Sequence, residues 1–488
     1  MNNHTAIDRL PAASWPGAAP PATRRQMLCR SALGFGWLAL SDMLAADPLR
    51  AAPGRRPDLA PKQPHFAARA KAVILMMQNG GPSQMELFDP KADLEKFHGR
   101  QHALKVEMFQ TGSESNTLMK SVFAFRKYGR CGMEMAEILP HIGAVADELC
   151  LVRSMHTEHN NHTEALVMFN TGKVFQGKPA LGAWVSYALG TENGNLPAYV
   201  VLRDPAGYNT SGSLTWTSAW LPALYRGTEF STQGSPILNL RPARAQPQGT
   251  QRDNLEYLAR LNRRHQQQYP AESDLETRIQ NYELAARMQL AAGNLVDLSQ
   301  ETEATRKLYG LDNPETAGYG VRCLMARKLV EAGVRFVQIH PRPFQPWDTH
   351  SKTQEELSSI VRACDQPTGA LITDLKQRGL LESTLVVWSG EFGRLPVSQN
   401  GTGRDHNRNA FSLLAAGGGF KAGHVHGATD EVGYRAAEGR VSVPDLHATL
   451  LHQLGLDHEQ LTFHHAGREE SLTDSVTTRA RVVEELLG

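Results

Sequence analysis

Six short runs in the chain are mostly apolar and do not alternate with polar positions: 72–77 (AVILMM), 149–152 (LCLV), 198–202 (AYVVL), 334–339 (VRFVQI), 384–389 (TLVVWS) and 411–416 (FSLLAA). Runs of this kind are strands buried on both faces. Helical patterns lead into two of them, at about 319–332 and 353–378. Strands alternating with helices predict an α/β domain around a mostly parallel, doubly wound sheet, over residues 70–488. In such sheets the site lies beyond the carboxyl ends of the strands, so the residues just after each run are the ones to read for chemistry. Residues 251–308 break the pattern. They are rich in charge and glutamine and predict two long helices, the second over about 274–303, as a helical insertion beside the sheet.

Charge narrows the function classes. The 488 residues carry 51 Lys and Arg against 50 Asp and Glu, a formal net charge of +1. With no basic run interleaved with aromatics, no nucleic-acid partner is expected. Nineteen histidines favour metal or acid–base chemistry, unless they are scattered over the surface. None of the five cysteines forms a C-x-x-C. Cys131, Cys150, Cys323 and Cys364 either make two disulfides in an oxidising compartment or stay as isolated buried thiols. The fifth, Cys29, lies in a segment expected to be removed.

That segment, residues 1–47, reads as an export signal. Arg24-Arg25 precedes an apolar stretch over about 32–46, softened by Gly34, Gly36 and Asp42. This is the layout of a twin-arginine leader; the alternative is a Pro/Arg/Ala tail with two adjacent arginines. The stretch is too short to span a bilayer comfortably, so the mature chain is expected to have no transmembrane span and to be periplasmic or secreted. Residues 48–69, rich in Pro, Arg and Ala, read as a linker.

The strand ends carry the candidate chemistry. After 72–77 come Asn79, Gly80, Gly81, Pro82 and Ser83. The double glycine lets backbone approach a bound group and offers N–H donors to an anion, or simply makes a turn. After 149–152 come His156, His159 and His162, then a helical pattern from Thr163. H-x-x-H-x-x-H is no standard zinc motif, and one imidazole facing a pocket at the helix N-terminus is the expected reading. After 334–339 come His340 and Trp347-Asp348-Thr349-His350, an Asp-x-His pair suited to a metal. After 384–389 come Glu391 and Arg394, then Arg404-Asp405-His406. Each group alone is ordinary surface; four successive strand ends bearing them point to one common site.

These stretches also resemble a known family. Gly80-Gly-Pro-Ser-Gln-x-x-Leu-Phe-Asp89, Trp347-Asp-Thr-His350, Gly390-Glu-Phe-Gly-Arg394, Gly403-Arg-Asp-His406, Ala415-Ala-Gly-Gly-Gly419 and 443–455 look like an exported bacterial family classed as sulfatase-like within the alkaline phosphatase superfamily. The resemblance runs from about residue 70 to the end. It implies a three-layer α/β/α sandwich and metal-dependent hydrolysis of sulfate or phosphate esters, with a sulfated glycan among the substrates to expect. The cofactor would be a divalent metal: zinc, calcium, magnesium or manganese. By motif, Asp348, His350, Glu391 and His406 fall at metal-ligand positions of the superfamily; in the hydrolase reading these four and Asp405 would hold one or two metals. His162 would be nucleophile or general acid–base, with Thr163 as another nucleophile. Arg153, Arg394 and Arg404 would pair with the anion, unless they form structural salt bridges, beside Asn79, Gly80, Gly81 and Ser83. The departures are Asn79 or Gly80, where active members carry an Asp ligand, and His162, where sulfatases carry the Cys or Ser that becomes formylglycine. Formylglycine chemistry is therefore not expected. Thr157, Ser154, Ser83 or metal-activated water remain open as attackers.

Two further readings compete with hydrolysis. One is a fold that has lost its nucleophile and kept a binding cleft. The other is an envelope scaffold that docks through the 251–308 helices, which should then carry an exposed apolar stripe.

Overall fold

The computed structural model describes residues 58–103, 105–233, 249–269, 273–295 and 297–488. The expected export signal lies outside the described residues. The core is a nine-stranded sheet. Its strands are β1 (Ala72–Met77), β2 (Leu149–His156), β3 (Tyr199–Leu202), β4 (Thr228–Glu229) and β5 (Phe336–Ile339). They continue with β6 (Thr384–Ser389), β7 (Phe411–Ala416), β8 (His424–His426) and β9 (Val441–Ser442). The order is β8-β2-β7-β6-β1-β5-β3-β4, with β9 also paired to β2. β7 runs antiparallel to both its neighbours, and every other pairing in the sheet is parallel.

β1 shows why the runs do not alternate. Ala72, Ile74 and Met76 point into one buried cluster, and Val73, Leu75 and Met77 into a second on the other face. Among the helices, α5 (Pro314–Glu331) and α6 (Thr353–Gln377) supply the first cluster. The second takes side chains from α1 (His162–Thr171), α2 (Leu181–Leu189) and α7 (Val443–Gln453). The result is the three-layer α/β/α sandwich. Local chemistry fixes the helix ends. The Asn161 side chain accepts from Thr163 N–H to start α1, and Gly172, at φ 73°, closes it by donating to Met168 O. Ser442 and Asp445 form a capping box on α7.

Three outcomes differ from the sequence-level reading. β2 continues to His156 because β7 pairs as far as Met155 and β9 pairs at His156. Over 251–308 the helices are α3 (Thr250–Gln268) and α4 (Ser273–Leu295); α4 stops at Leu295, before a separate short helix at Glu303–Leu308. Residues 58–69 are bound to the body: Lys62 N donates to Leu189 O, Phe66 N to Gly455 O and Arg69 N to Gln453 O. The four described cysteines are free thiols, and all but Cys131 are buried. No helix among the described residues is long and apolar enough to cross a membrane.

Candidate metal centre

β1, β5, β6 and β2 point the same way, so their carboxyl ends share one edge of the sheet. β7 is reversed, so the segment before it, with His406, reaches that same edge. Gly80 lets the loops close over it. At φ 116°, a Cβ there would stand 2.7 Å from Trp347 N and 2.8 Å from Asp348 N. Only a glycine leaves room for the loop carrying Asp348 to rest against the end of β1.

Four side chains meet at this edge. His350 Nε2 lies 3.0 Å from Asp348 Oδ1 and 3.0 Å from His406 Nε2. His406 Nε2 lies 3.2 Å from the same Oδ1. His162 Nε2 lies 3.2 Å from Asp348 Oδ2, yet makes no well-aligned hydrogen bond and is sealed from solvent.

The outer partners settle where the ring protons sit. His406 Nδ1–H donates to Asn160 O at 2.7 Å. Gln399 uses its Nε2 on Thr111 O, so its Oε1 accepts from His350 Nδ1–H at 2.6 Å. In the neutral rings both Nε2 atoms then present lone pairs, and they present them to each other and to a carboxylate. Burial, aided by the charges of Arg394 and His162, pushes His406 down to about 3 against the pull of Asp348, so this ring is neutral. With both rings neutral, three acceptors stand 3.0–3.2 Å apart, an arrangement that a shared cation would stabilise. Donors bound to one ion at about 2.1 Å stand about 3.0–3.4 Å apart, which is this spacing.

Glu391 plays another part. It is fully buried, accepts from Gly80 N–H with both oxygens (2.9 and 3.1 Å), and holds His162 Nδ1 at 2.6 Å. It therefore orients an imidazole from behind, as carboxylates behind metal-bound histidines do. Burial works against a charged imidazole at 162, yet the carboxylates of Asp348 and Glu391 beside it outweigh that and raise its pKa. Burial likewise opposes the charged form of Asp348, but the Arg394 guanidinium beside it holds it far below the usual carboxylate range.

A family model described as "Protein of unknown function (DUF1501)" matches residues 70–487. The chain belongs to the DUF1501 family. No curated protein matches it in sequence. Among solved structures it is similar to the PsFucS1 sulfatase from Pseudoalteromonas sp., at 13% identity over 86% of this chain and 72% of that one, TM-score 0.33. It is similar to the lipoteichoic acid synthase LtaP from Listeria monocytogenes at 8% identity, covering 80% and 74%, TM-score 0.32. It is also similar to the phosphonate monoester hydrolase SpPMH from Silicibacter pomeroyi at 13% identity, covering 70% and 72%, TM-score 0.30. At these values activity and substrate do not transfer.

The remaining candidates of this DUF1501 chain divide by what they touch. Asp405 groups with His350 and His406 as a further set able to hold an ion. Its oxygens, however, accept from the backbone N–H of Phe109 (2.7 Å), Gln110 (2.8 Å) and His406 (2.8 Å). Arg394 is buried and spends its guanidinium on Asp348 Oδ1 at 2.6 Å and on the carbonyls of Gly81, Gly80 and Arg404. Arg404 is equally buried and is held by Glu86 at 2.8 Å and by the carbonyls of Leu395, Met119 and Lys120. Both arginines are thus bound into the scaffold and not turned toward an incoming anion. The Asn79 side chain donates to Phe344 O and faces His340. Ser83 is buried, with an unpartnered hydroxyl. Thr163 is half-buried on the first turn of α1 and lines an outer groove with Glu164 and Phe175. Of the three spaced histidines, only His162 is in the cluster; His156 ends β2, and His159 stands 4.0 Å from Glu164.

Sequence reasoning missed Gln399, which sets the His350 ring, and Phe109, whose ring stacks on His406 at 4.8 Å and 17°. Neither lies directly after a strand, and no local spacing announces them.

Proposed function

We propose that this chain is a metal-dependent hydrolase of sulfate or phosphate esters. The observation supporting it is the convergence of two imidazole Nε2 lone pairs on Asp348 Oδ1, with a third Nε2 at Oδ2. Asp348, His350 and His406 would hold a divalent cation, with His162 as a fourth donor. Zinc fits a set of imidazoles and one carboxylate better than calcium or magnesium, which prefer all-oxygen shells. When bound, such an ion polarises an ester oxygen and acidifies water.

The chain's own residues supply the rest. Glu391, Gln399 and the Asn160 carbonyl fix the rings. The rings of Phe109 and Phe392 pack on that of His406, at 4.8 and 4.6 Å between centroids, and hold its plane. The N-terminus of α1 brings the positive end of a helix dipole to the cluster, which favours an anionic ester. Export by the Arg24-Arg25 leader belongs to the same proposal, and lysine at both positions should retain the protein in the cytoplasm.

The test is metal content by elemental mass spectrometry on the purified chain and on His350→Ala and His406→Ala. One ion per chain in wild type, lost in both variants, supports the reading and calls for a screen with p-nitrophenyl sulfate and phosphate. A wild-type chain that takes up no divalent ion on reconstitution sinks it. The scaffold reading has one observation in its favour, an exposed apolar stripe on α3, which bears on assembly whatever the site does.

A further inference from the structure

Twelve large apolar side chains are exposed among the described residues. Five of them, Tyr257, Leu258, Leu261, Tyr269 and Tyr282, lie on α3, its C-terminal cap and α4, so apolar surface is concentrated on this helix pair. α4 turns Leu284 and Met288 into the core below the sheet. α3 lies against α4. Its half-buried positions Leu255, Ala259, Asn262 and Gln266 recur every three or four residues, as one inward stripe requires. Gln266 Nε2 ties the pair by donating to Glu276 at 2.6 Å.

α3 carries a second stripe that stays exposed, running along the rim of the groove between α3 and α4. Asn254, Leu258, Leu261 and His265 are spaced four, three and four apart, and all four are exposed; Leu258 is 48% and Leu261 44% exposed. This is the spacing of a helix–helix seam with an apolar middle and polar ends. Along its flank run Asp253 near the start of α3, then Tyr257, then Arg260 and Arg264 near the end. A second copy laid parallel would set Asp253 against Asp253 and Arg264 against Arg264. A second copy laid antiparallel sets Asp253 of each chain beside Arg264 of the other.

We propose that this face pairs two copies of the chain, α3 against α3, antiparallel about a two-fold axis between Leu258 and Leu261. Leu258 of each copy then packs on Leu261 of the other, Asn254 stands opposite His265, and Asp253 stands beside Arg264. Each contact occurs twice, as in any isologous interface. The 19 residues of α3 make a face about 28 Å long. A face of that size falls short of an obligate interface, so the dimer is reversible and forms with concentration.

The experiment is sedimentation equilibrium on the purified full chain, over concentrations on the order of one to one hundred micromolar, where interfaces of this class assemble. Wild type should move from the mass of one chain to that of two. Leu261→Glu buries a charge twice in the seam and should weaken pairing at least tenfold. Asp253→Arg and Arg264→Asp should each weaken it severalfold, and the double variant D253R/R264D should recover to near wild type. All three substituted positions are exposed, and circular dichroism checks that α3 remains folded. A one-chain mass throughout overturns the proposal. So does a dimer indifferent to Leu261→Glu, or a double variant no better than the singles.

Discussion

The ion pair between Glu86 and Arg404 separates a scaffold role for Arg404 from contact with substrate. Both side chains are fully buried. Glu86 Oε1 accepts from Arg404 Nε at 2.8 Å, while its Oε2 accepts from Ser121 Oγ at 2.7 Å and Val122 N at 2.8 Å. Glu86→Leu would leave a buried guanidinium facing three carbonyls, and the Val122 N–H without its acceptor. Breaking a buried pair from one side costs about 3–5 kcal/mol, a large part of the roughly 5–15 kcal/mol that holds a domain folded. Arg404→Met should cost a similar amount, because it strands the carboxylate. The double variant E86L/R404M removes both charges together. It should cost well under the sum of the singles, with a coupling of about 2 kcal/mol or more. The assay is urea unfolding followed by tryptophan fluorescence, with cation affinity measured beside it. If Arg404→Met left the unfolding midpoint unchanged and lowered only ester turnover, Arg404 would be a substrate contact and the reasoning would be refuted.

Two other outcomes follow from the geometry. Gln399→Leu removes the acceptor of His350 Nδ1–H without touching the ion's own donors, and should weaken cation binding about 10–100-fold by isothermal titration; an unchanged affinity would show that the tautomer is set elsewhere. His447 is buried on α7, donates Nε2–H to Phe169 O, and is pushed by burial down to about 4. The unfolded chain takes up this proton near the ordinary histidine value of about 6.5, and the native chain only near 4. Its stabilising contribution is therefore whole above pH 6.5, declines as pH falls through that window, and is gone below about 4, roughly 3 kcal/mol in all. His447→Gln should flatten the pH dependence of the urea midpoint between pH 7 and 4.5, and a slope equal to wild type would count against it.

Much of the sheet could be read from sequence because its central strands are buried on both faces. The runs at 72–77 and 384–389 are β1 and β6 to the residue. The antiparallel course of β7 could not be read, since FSLLAA is equally apolar in either direction; yet that reversal is what brings His406 to the cluster. Asp348, His350 and His406 were legible as metal-type residues beyond strands. The division of labour among the other candidates was not. Whether a carboxylate meets an ion or a neighbouring backbone N–H depends on loops far apart in sequence, as with Asp405 and residues 109–110. The same holds for Arg404, whose partner Glu86 lies beyond β1.

The place of β1 also bears on how the chain reaches this structure. The first strand of the sheet sits at its centre, with Val73 between Phe336 and Leu385. Both edges of β1 stay open until most of the chain has emerged from the ribosome, and non-local pairings of this kind are slow to form and prone to aggregate meanwhile. The residues that converge at the sheet edge cannot meet before β1 is flanked on both sides. A chain truncated before residue 384 should therefore lack both the central sheet and the histidine cluster, and a chaperone that shields apolar strands should engage the nascent chain for most of its synthesis.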